Sequence, residues 1–163
     1  MVRNLRTPGW VWLLLALAGC SGDPGSGPLE VKWDRVPCER CRMVLSDPVH
    51  AAQVRIHSAD GRSQVYFFDD LGCALVWLRD QPSRDDPATE LWVTDWRDGK
   101  WIDAQSASYL PGQQTPMGYG LGAQTTAVAG AIDFTQAREA ILVRDADHHH
   151  GRSGPAAGEH SQH

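Results

Sequence analysis

Three soft sulfur donors lie close together in one stretch of the chain. Cys38 and Cys41 form a Cys-x-x-Cys pair, and Met43 follows two residues after the second cysteine. Thiolates and thioethers are the donors that select copper(I), or zinc when thiolates dominate. Two further sulfurs, those of Cys73 and Met117, come later in the chain. The sequence therefore predicts a fold that brings some of these five side chains together around a soft metal ion.

Three interpretations compete for the Cys38–Cys41 pair. A structural zinc site usually needs a second cysteine pair or spaced histidines, and the segment expected to fold has neither. A thioredoxin-type redox pair should follow a strand and open a helix, whereas the preceding residues are polar and Pro48 comes soon after. Met43 favours the third interpretation, a copper(I) site, although a nearby methionine is more often a core residue.

Cys73 and Met117 also have positions that suit ligands. With Asp69 or Asp70 as the cap, Cys73 lies in the first turn of a predicted helix, where the helix dipole lowers thiol pKa values. It lies away from the leucine stripe of that helix, which favours a ligand or redox role over apolar filling. Met117 stands in a loop between a proline and a glycine rather than on a periodic apolar face.

The N-terminus is typical of a bacterial export signal. Arg3 and Arg6 precede an apolar run over residues 10–18, which is too short for a membrane span of about 20 residues but suits a signal peptide. The run ends in Leu-Ala-Gly-Cys20, which resembles a lipoprotein lipobox. We therefore expect a signal peptide over 1–19, a lipidated Cys20 and a flexible, lipid-anchored tether over 20–28. The alternative is an ordinary signal peptide with a chance cysteine.

Composition excludes several classes of function. The 163-residue chain has a formal charge of −5 and no basic run, so a nucleic-acid partner is not expected. No nucleophile triad, paired catalytic carboxylates, phosphate loop or nucleotide fingerprint is present, and we predict that the protein is not an enzyme.

If Cys20 is lipidated, three cysteines remain. An odd number in an oxidising compartment leaves at least one thiol unpaired or ligated.

Hydrophobic patterning predicts an α+β fold over residues 29–144, either as one domain or as two small lobes (about 29–96 and 97–144). The first half has a β-β-α-β order, with turns at two Asp-Gly pairs. The second half is less regular, with a helical turn, a strand and a helix. The predicted segments are strands 51–57, 62–68, 90–96 and 100–104, helix 70–80, helical turn 106–110, strand 123–130 and helix 134–143.

The C-terminal segment, residues 145–163, holds most of the histidines and few apolar residues. We expect it to be disordered. His148, His149 and His150 are an auxiliary candidate site for divalent metals, and a solvated terminus without a function is an equally good interpretation.

Five motifs occur in a fixed order over roughly residues 36–143. They are Cys38-x-x-Cys41-x-Met43, Ala51-Ala52-Gln53, Phe68-Asp69-Asp70-Leu71-Gly72-Cys73, Trp101-Ile102-Asp103-Ala104 and Thr115-Pro116-Met117-Gly118-Tyr119-Gly120. In this order they resemble the NosL-type accessory lipoproteins of nitrous oxide reductase. That family often has glycine between the second cysteine and the methionine, where this chain has Arg42, and a side chain there is expected to crowd a tight turn.

The resemblance implies a periplasm-facing, membrane-anchored copper(I) chaperone built from paired β-β-α-β units, similar to organomercurial lyase. It implies delivery of copper for the copper–sulfide centre of nitrous oxide reductase, together with an ABC-type maturation complex. We expect a monomer. Carried over to this chain, the copper(I) donors come from Cys38, Cys41, Met43, Cys73 and Met117. One alternative is an exported thiol–disulfide or organomercurial-lyase-like enzyme that uses the three thiols. Another is a lipoprotein scaffold whose sulfurs bind no metal tightly.

Overall fold

The structure is a computed structural model that describes the backbone of residues 23–151 and the side chains of residues 23–147. The described residues form six strands and two helices. In chain order these are β1 (Ala52–His57), β2 (Ser63–Phe68), α1 (Leu71–Arg79), β3 (Glu90–Thr94), β4 (Trp101–Asp103), β5 (Ser108–Pro111), β6 (Leu121–Gln124) and α2 (Phe134–Gly151).

The first half folds as the predicted β-β-α-β unit. Its strands make one antiparallel sheet in the order β2-β1-β3-β4, and Ala52 of β1 pairs with Phe68 of β2. Helix α1 packs on one face of this sheet, where the ring of Trp77 contacts those of Tyr66 and Phe68 at centroid distances of 4.5 and 5.3 Å. The α+β class predicted from the sequence is confirmed.

The second half contains a two-stranded antiparallel sheet, β5-β6, followed by α2. The helical turn predicted over 106–110 is wrong, because residues 108–111 form β5. Tyr109 is fully buried in that strand, and its hydroxyl donates to the carbonyl of Ala104 at 2.6 Å. The strand predicted over 123–130 is instead the shorter β6, and a turn follows it.

The predicted disordered segment begins too early in the chain. Helix α2 continues to Gly151 instead of ending near residue 143. The reason is a tertiary contact, because the buried carboxylate of Asp145 forms ion pairs with Arg40 at 2.7 Å and with Arg79 at 3.3 Å. The remainder of the predicted tail, from 152 onward, lies outside the described residues.

The described part of the predicted flexible tether is docked on the sheet. We call residues 23–29 the N-terminal strap. The backbone of Leu29 exchanges two hydrogen bonds with the buried side-chain amide of Gln53, at 2.8 and 2.7 Å. The backbone N–H of Gly27 donates to Glu90 Oε2 at 2.7 Å. Polar groups on β1 and β3 therefore hold a segment whose Gly-Pro composition indicated flexibility.

Within residues 23–151, no helix has both the length and the apolar character needed to cross a membrane.

Candidate metal centre

Three thiols and one carboxylate converge at the end of β2 and the start of α1. One ligand atom each from Cys38, Cys41, Cys73 and Asp69 lies within 4.8 Å of the other three. Cys38 and Cys73 are fully buried, whereas Cys41 is partly exposed. The three cysteines are free thiols. Sulfur and carboxylate oxygen atoms at this separation can share one metal ion.

A tight backbone loop places the first two thiols. The N–H of Cys38 donates to the carbonyl of Met43 at 2.7 Å, and the N–H of Arg42 donates to the carbonyl of Cys38 at 3.1 Å. The N–H of Glu39 donates to the carbonyl of Phe67 at 2.8 Å, which ties the loop to β2. The loop therefore holds both sulfurs beside the residue that follows β2.

Arg42 closes this loop in a conformation that favours glycine. Its φ is +66°, in the left-handed region. A non-glycine residue pays about 1–2 kcal/mol for this conformation. As expected, Arg42 lies in a tight turn, and its positive φ strains the backbone of the loop that carries the thiols.

Replacing Arg42 with glycine is expected to raise the free energy of unfolding by up to about 1 kcal/mol, because relief of the left-handed strain exceeds the added flexibility of the unfolded chain. The exposed Arg42–Glu39 ion pair, at 3.4 Å, adds little. Denaturant unfolding measures the change.

The matched control is Asp34→Gly, at the other described non-glycine residue with positive φ. Aspartate tolerates this region better, so the control should gain less. A loss of stability in Arg42→Gly would contradict the strain argument.

Asp70 positions the third thiol and connects it to the Met117 loop. Its side chain caps α1 by accepting from the N–H of Cys73 at 2.9 Å. Its other carboxylate oxygen accepts from the N–H of Met117 and the hydroxyl of Thr115, both at 3.1 Å. One buried carboxylate thus fixes both the helix start and the loop. Burial raises the pKa of this carboxyl group above its usual value, and the hydrogen bonds oppose that shift.

We expect Asp70→Ala to lower the free energy of unfolding by about 1–3 kcal/mol, because α1 loses its cap and buried N–H groups lose their acceptor. Asp70→Asn keeps an acceptor and should lose less. Thermal or denaturant unfolding of both variants, followed by circular dichroism, measures the difference. Equal stability of Asp70→Ala and the parent would show that the loop is held by other contacts.

The pKa values of the two buried thiols move in opposite directions. Hydrogen bonding from Cys73 lowers the pKa of Cys38 to about 6, and the backbone N–H groups of Cys41, Asp69 and Arg40 lower it further against the effect of burial. The pKa of Cys73 is raised, because it donates to Cys38 and is buried near Asp70 and Asp69. The prediction that the helix dipole lowers the pKa of Cys73 is therefore wrong, since the neighbouring anions and burial outweigh it.

Cys41 is paired with a carboxylate. Its Sγ donates to Asp69 Oδ2 at 3.0 Å. Burial and this hydrogen bond raise the pKa of Cys41 to about 12, although the backbone N–H of Met43 opposes the shift. The other oxygen of Asp69, Oδ1, is buried and has no hydrogen-bond partner among the described residues. A buried carboxylate oxygen without a partner next to three sulfurs suits a cation.

A positively charged network borders the thiol cluster. Arg40 Nη1 lies 3.8 Å from Cys73 Sγ and 3.2 Å from the hydroxyl of Tyr119, and its Nη2 lies 2.7 Å from Asp145. The Tyr119 hydroxyl also donates to Asp145 Oδ1 at 3.1 Å. These contacts connect the cysteine loop, the loop after Met117 and helix α2. The positive charge of the Arg40 guanidinium partly offsets the negative charge that the cluster would have if several of its cysteines were thiolates.

The two methionines occupy different surroundings. Met43 is 46% exposed, and its backbone supports the cysteine loop. Met117 is partly buried against the core, and its N–H is held by the Asp70 carboxylate, which also accepts from Cys73. The structure thus brings the three predicted cysteines together, and the ligand role of both thioethers stays a prediction.

One member of the cluster, Asp69, was expected only as a helix cap. The structure gives the cap to Asp70 and turns Asp69 toward the thiols. A signal was present in the Asp-Asp pair between a strand and a cysteine-bearing helix, because only one of two adjacent carboxylates can cap the helix. The predicted auxiliary site, His148, His149 and His150, is part of helix α2, but these side chains lie outside the described residues. Cys20 also lies outside the described residues.

Comparison with known proteins gives one clear match. The family model described as NosL matches residues 32–157, which is most of the chain and includes all four residues of the cluster. No curated protein matches this chain.

Proposed function

The chain belongs to the NosL family, and we propose that it is a copper(I) chaperone whose cargo is held by the thiols of Cys38, Cys41 and Cys73. The observation that carries this proposal is the convergence of three sulfurs and one carboxylate oxygen within 4.8 Å. Thiolates bind both copper(I) and zinc, and the choice of copper(I) in this proposal is supported by the family. The sulfurs of Met43 and Met117 are proposed as further or transient donors.

Unequal exposure of the donors supports transfer by ligand exchange. Cys38 and Cys73 are fully buried, whereas Cys41 is partly exposed and the neighbouring Met43 is 46% exposed. Donors of an acceptor protein would enter on the Cys41 side. Cys41 would then release the ion first, because it is the accessible ligand and the raised pKa of its thiol, about 12, favours the return of a proton from solvent to the sulfur as the ion leaves. No bond of a substrate molecule is made or broken.

We propose nitrous oxide reductase as the acceptor, with an ABC-type maturation complex as the partner in assembly of its copper–sulfide centre. The support for this acceptor is family membership. We further propose that lipidated Cys20 anchors the protein to a periplasm-facing membrane. Incubation of the copper-loaded protein with copper-depleted nitrous oxide reductase, separation and metal analysis test the delivery. Retention of all copper by the chaperone, in the presence of the maturation complex, would contradict it.

An anaerobic titration tests the metal assignment. The reduced protein competes for copper(I) with a chromophoric chelator, and the parent is compared with Cys41→Ser, Cys73→Ser, Met43→Leu and Met117→Leu. Loss of either thiol should weaken binding more than loss of either thioether, because the thiols form the cluster. Unchanged affinity in all four variants would end the chaperone assignment.

The second candidate is an exported thiol enzyme, of thiol–disulfide or organomercurial-lyase-like type. The Cys41–Asp69 hydrogen bond favours it, because cleavage of a carbon–metal bond needs a proton source beside the thiolates. This candidate predicts turnover of an organomercurial by the parent and no turnover by Asp69→Asn. The chaperone proposal predicts no turnover by either protein, so this assay distinguishes it from the organomercurial-lyase-like enzyme.

A further inference from the structure

The N-terminal strap is fixed to the sheet by a buried arginine. Arg55 is fully buried; its Nε donates to the carbonyl of Gly27 at 3.0 Å, and its Nη1 donates to Asp23 Oδ2 at 2.9 Å and to Ser63 Oγ at 2.6 Å. A buried guanidinium is costly unless it is paired. The strap therefore supplies partners that the sheet needs, which makes it an integral layer of the fold.

The strap runs in a defined direction across the sheet. We define the hairpin end of the sheet by the turn between β1 and β2 (residues 58–62). Asp23 lies at this end, because Arg55 donates both to Asp23 and to Ser63, and Ser63 is the first residue of β2. Leu29 lies further along, over Gln53. The metal cluster lies at the opposite end of the sheet, since Asp69 directly follows Phe68 and Phe68 pairs with Ala52.

These directions place the start of the strap and the metal cluster at opposite ends of the four-stranded sheet. From Ser63 to Asp69 the chain follows β2, and a strand of this length spans about 20 Å. Cys20 precedes Asp23 by three residues. That length of chain reaches about 11 Å at most. A lipid on Cys20 would therefore hold the hairpin end near the bilayer.

We propose that the strap orients the anchored domain, with the hairpin end against the lipid headgroups and the cysteine cluster facing away from the membrane. This inference rests on the proposed lipidation of Cys20. A freely jointed tether would let the domain present any face to the bilayer. The docked strap removes that freedom and keeps the partly exposed Cys41 available to an acceptor in the aqueous phase.

Two Asp-Gly turns provide a matched pair of probes. Asp60 lies in the hairpin turn, and Asp98 lies in the turn between β3 and β4 at the cluster end. Both are exposed, and each pairs with a basic residue two positions on, Arg62 or Lys100. A photo-crosslinking phenylalanine analogue at either position should therefore disturb the fold to the same small extent.

The experiment uses the full-length lipoprotein in phospholipid vesicles. We expect lipid adducts from the probe at position 60 and a several-fold lower yield at position 98. In the strap variant Asp23→Ala/Gln53→Ala, the two yields should become equal, because the strap loses contacts at both of its ends. Circular dichroism checks that this variant is folded. If it is not, the single variant Asp23→Asn replaces it, because this variant keeps the Gln53 contacts. Asp23→Asn should reduce the difference in adduct yield between positions 60 and 98.

Equal yields at positions 60 and 98 in the parent, or a higher yield at 98, would overturn the orientation. Mass spectrometry of the N-terminal peptide reports the lipid on Cys20, and an unmodified cysteine would overturn both the anchor and the orientation. The copper(I) titration on the same sample is independent of both results. Failure of the orientation can therefore be told apart from failure of the copper proposal.

Discussion

Replacing Cys38 with serine should reduce copper(I) affinity more than any other single substitution in the cluster. Cys38 is fully buried, and its lowered pKa, about 6, makes it the thiol that is most readily a thiolate at neutral pH. We expect a loss larger than the roughly 10- to 100-fold that removal of an outer-shell partner costs a metal site. Competition with a copper(I) chelator under anaerobic conditions measures it.

The control for this substitution is Ser46→Ala, an exposed position on the same segment that lies outside the donor cluster. It should leave affinity unchanged. Because serine in place of a buried thiol can also destabilise the fold, unfolding of each variant is measured in parallel. Parent-like affinity in a folded Cys38→Ser protein would remove Cys38 from the site and with it the three-thiol account.

Replacing Gly72 with alanine should destabilise the protein, although alanine is the better helix former. Gly72 lies in the first turn of α1, and a methyl group there would overlap the ring of Tyr119. Alanine in a helix gains up to about 1 kcal/mol over glycine. Inserting a group into a packed site costs about 1–3 kcal/mol, and the ring is held by Arg40 and Asp145 at its hydroxyl. The clash should therefore dominate, which denaturant unfolding can measure.

A double variant separates the clash from other effects. Tyr119→Ala removes the ring and costs stability by itself, because Tyr119 is only 8% exposed. If the ring is what opposes the methyl group, Gly72→Ala should be harmless or stabilising in the Tyr119→Ala background. Equal destabilisation by Gly72→Ala in both backgrounds would show that the helix start, rather than the aromatic contact, requires glycine.

Local signals in the sequence were enough to predict the first half of the fold. Alternating apolar residues predicted β1 and β2, and the Asp-Gly pairs placed the turns at Gly61 and Gly99, which have φ values of +81° and +73°. The second half was harder because its elements depend on distant contacts. Strand β5 is short, with serine at positions 106 and 108, so its strand propensity is weak. Pairing with β6, and not local propensity, decides its conformation.

The same distinction applies to the ends of the domain. Helix α2 continues past its predicted end because Asp145 pairs with Arg40, which is far away in the chain. The strap is ordered because Gln53 and Arg55 present polar groups to a Gly-Pro segment. Neither interaction leaves a periodic pattern in the sequence, so composition alone indicated disorder for one and flexibility for the other.

For the metal centre, the cysteines could be predicted but their electrostatics could not. Residue type and spacing singled out Cys38, Cys41 and Cys73, and the fold places all three within one cluster. The carboxylate of Asp69 was missed because its neighbour Asp70 has the same side chain, and only the backbone geometry decides which of them caps α1. The raised pKa of Cys73 follows first from its hydrogen bond to Cys38, which is remote in sequence, and then from burial.

X-ray absorption at the copper edge of the copper(I)-loaded, reduced protein tests the central claim most directly. The account predicts a first coordination shell made mainly of sulfur, and a lower sulfur count in Cys73→Ser at equal copper loading. A first shell of nitrogen and oxygen atoms, or a sulfur count that is the same in the parent and in Cys73→Ser, would contradict it.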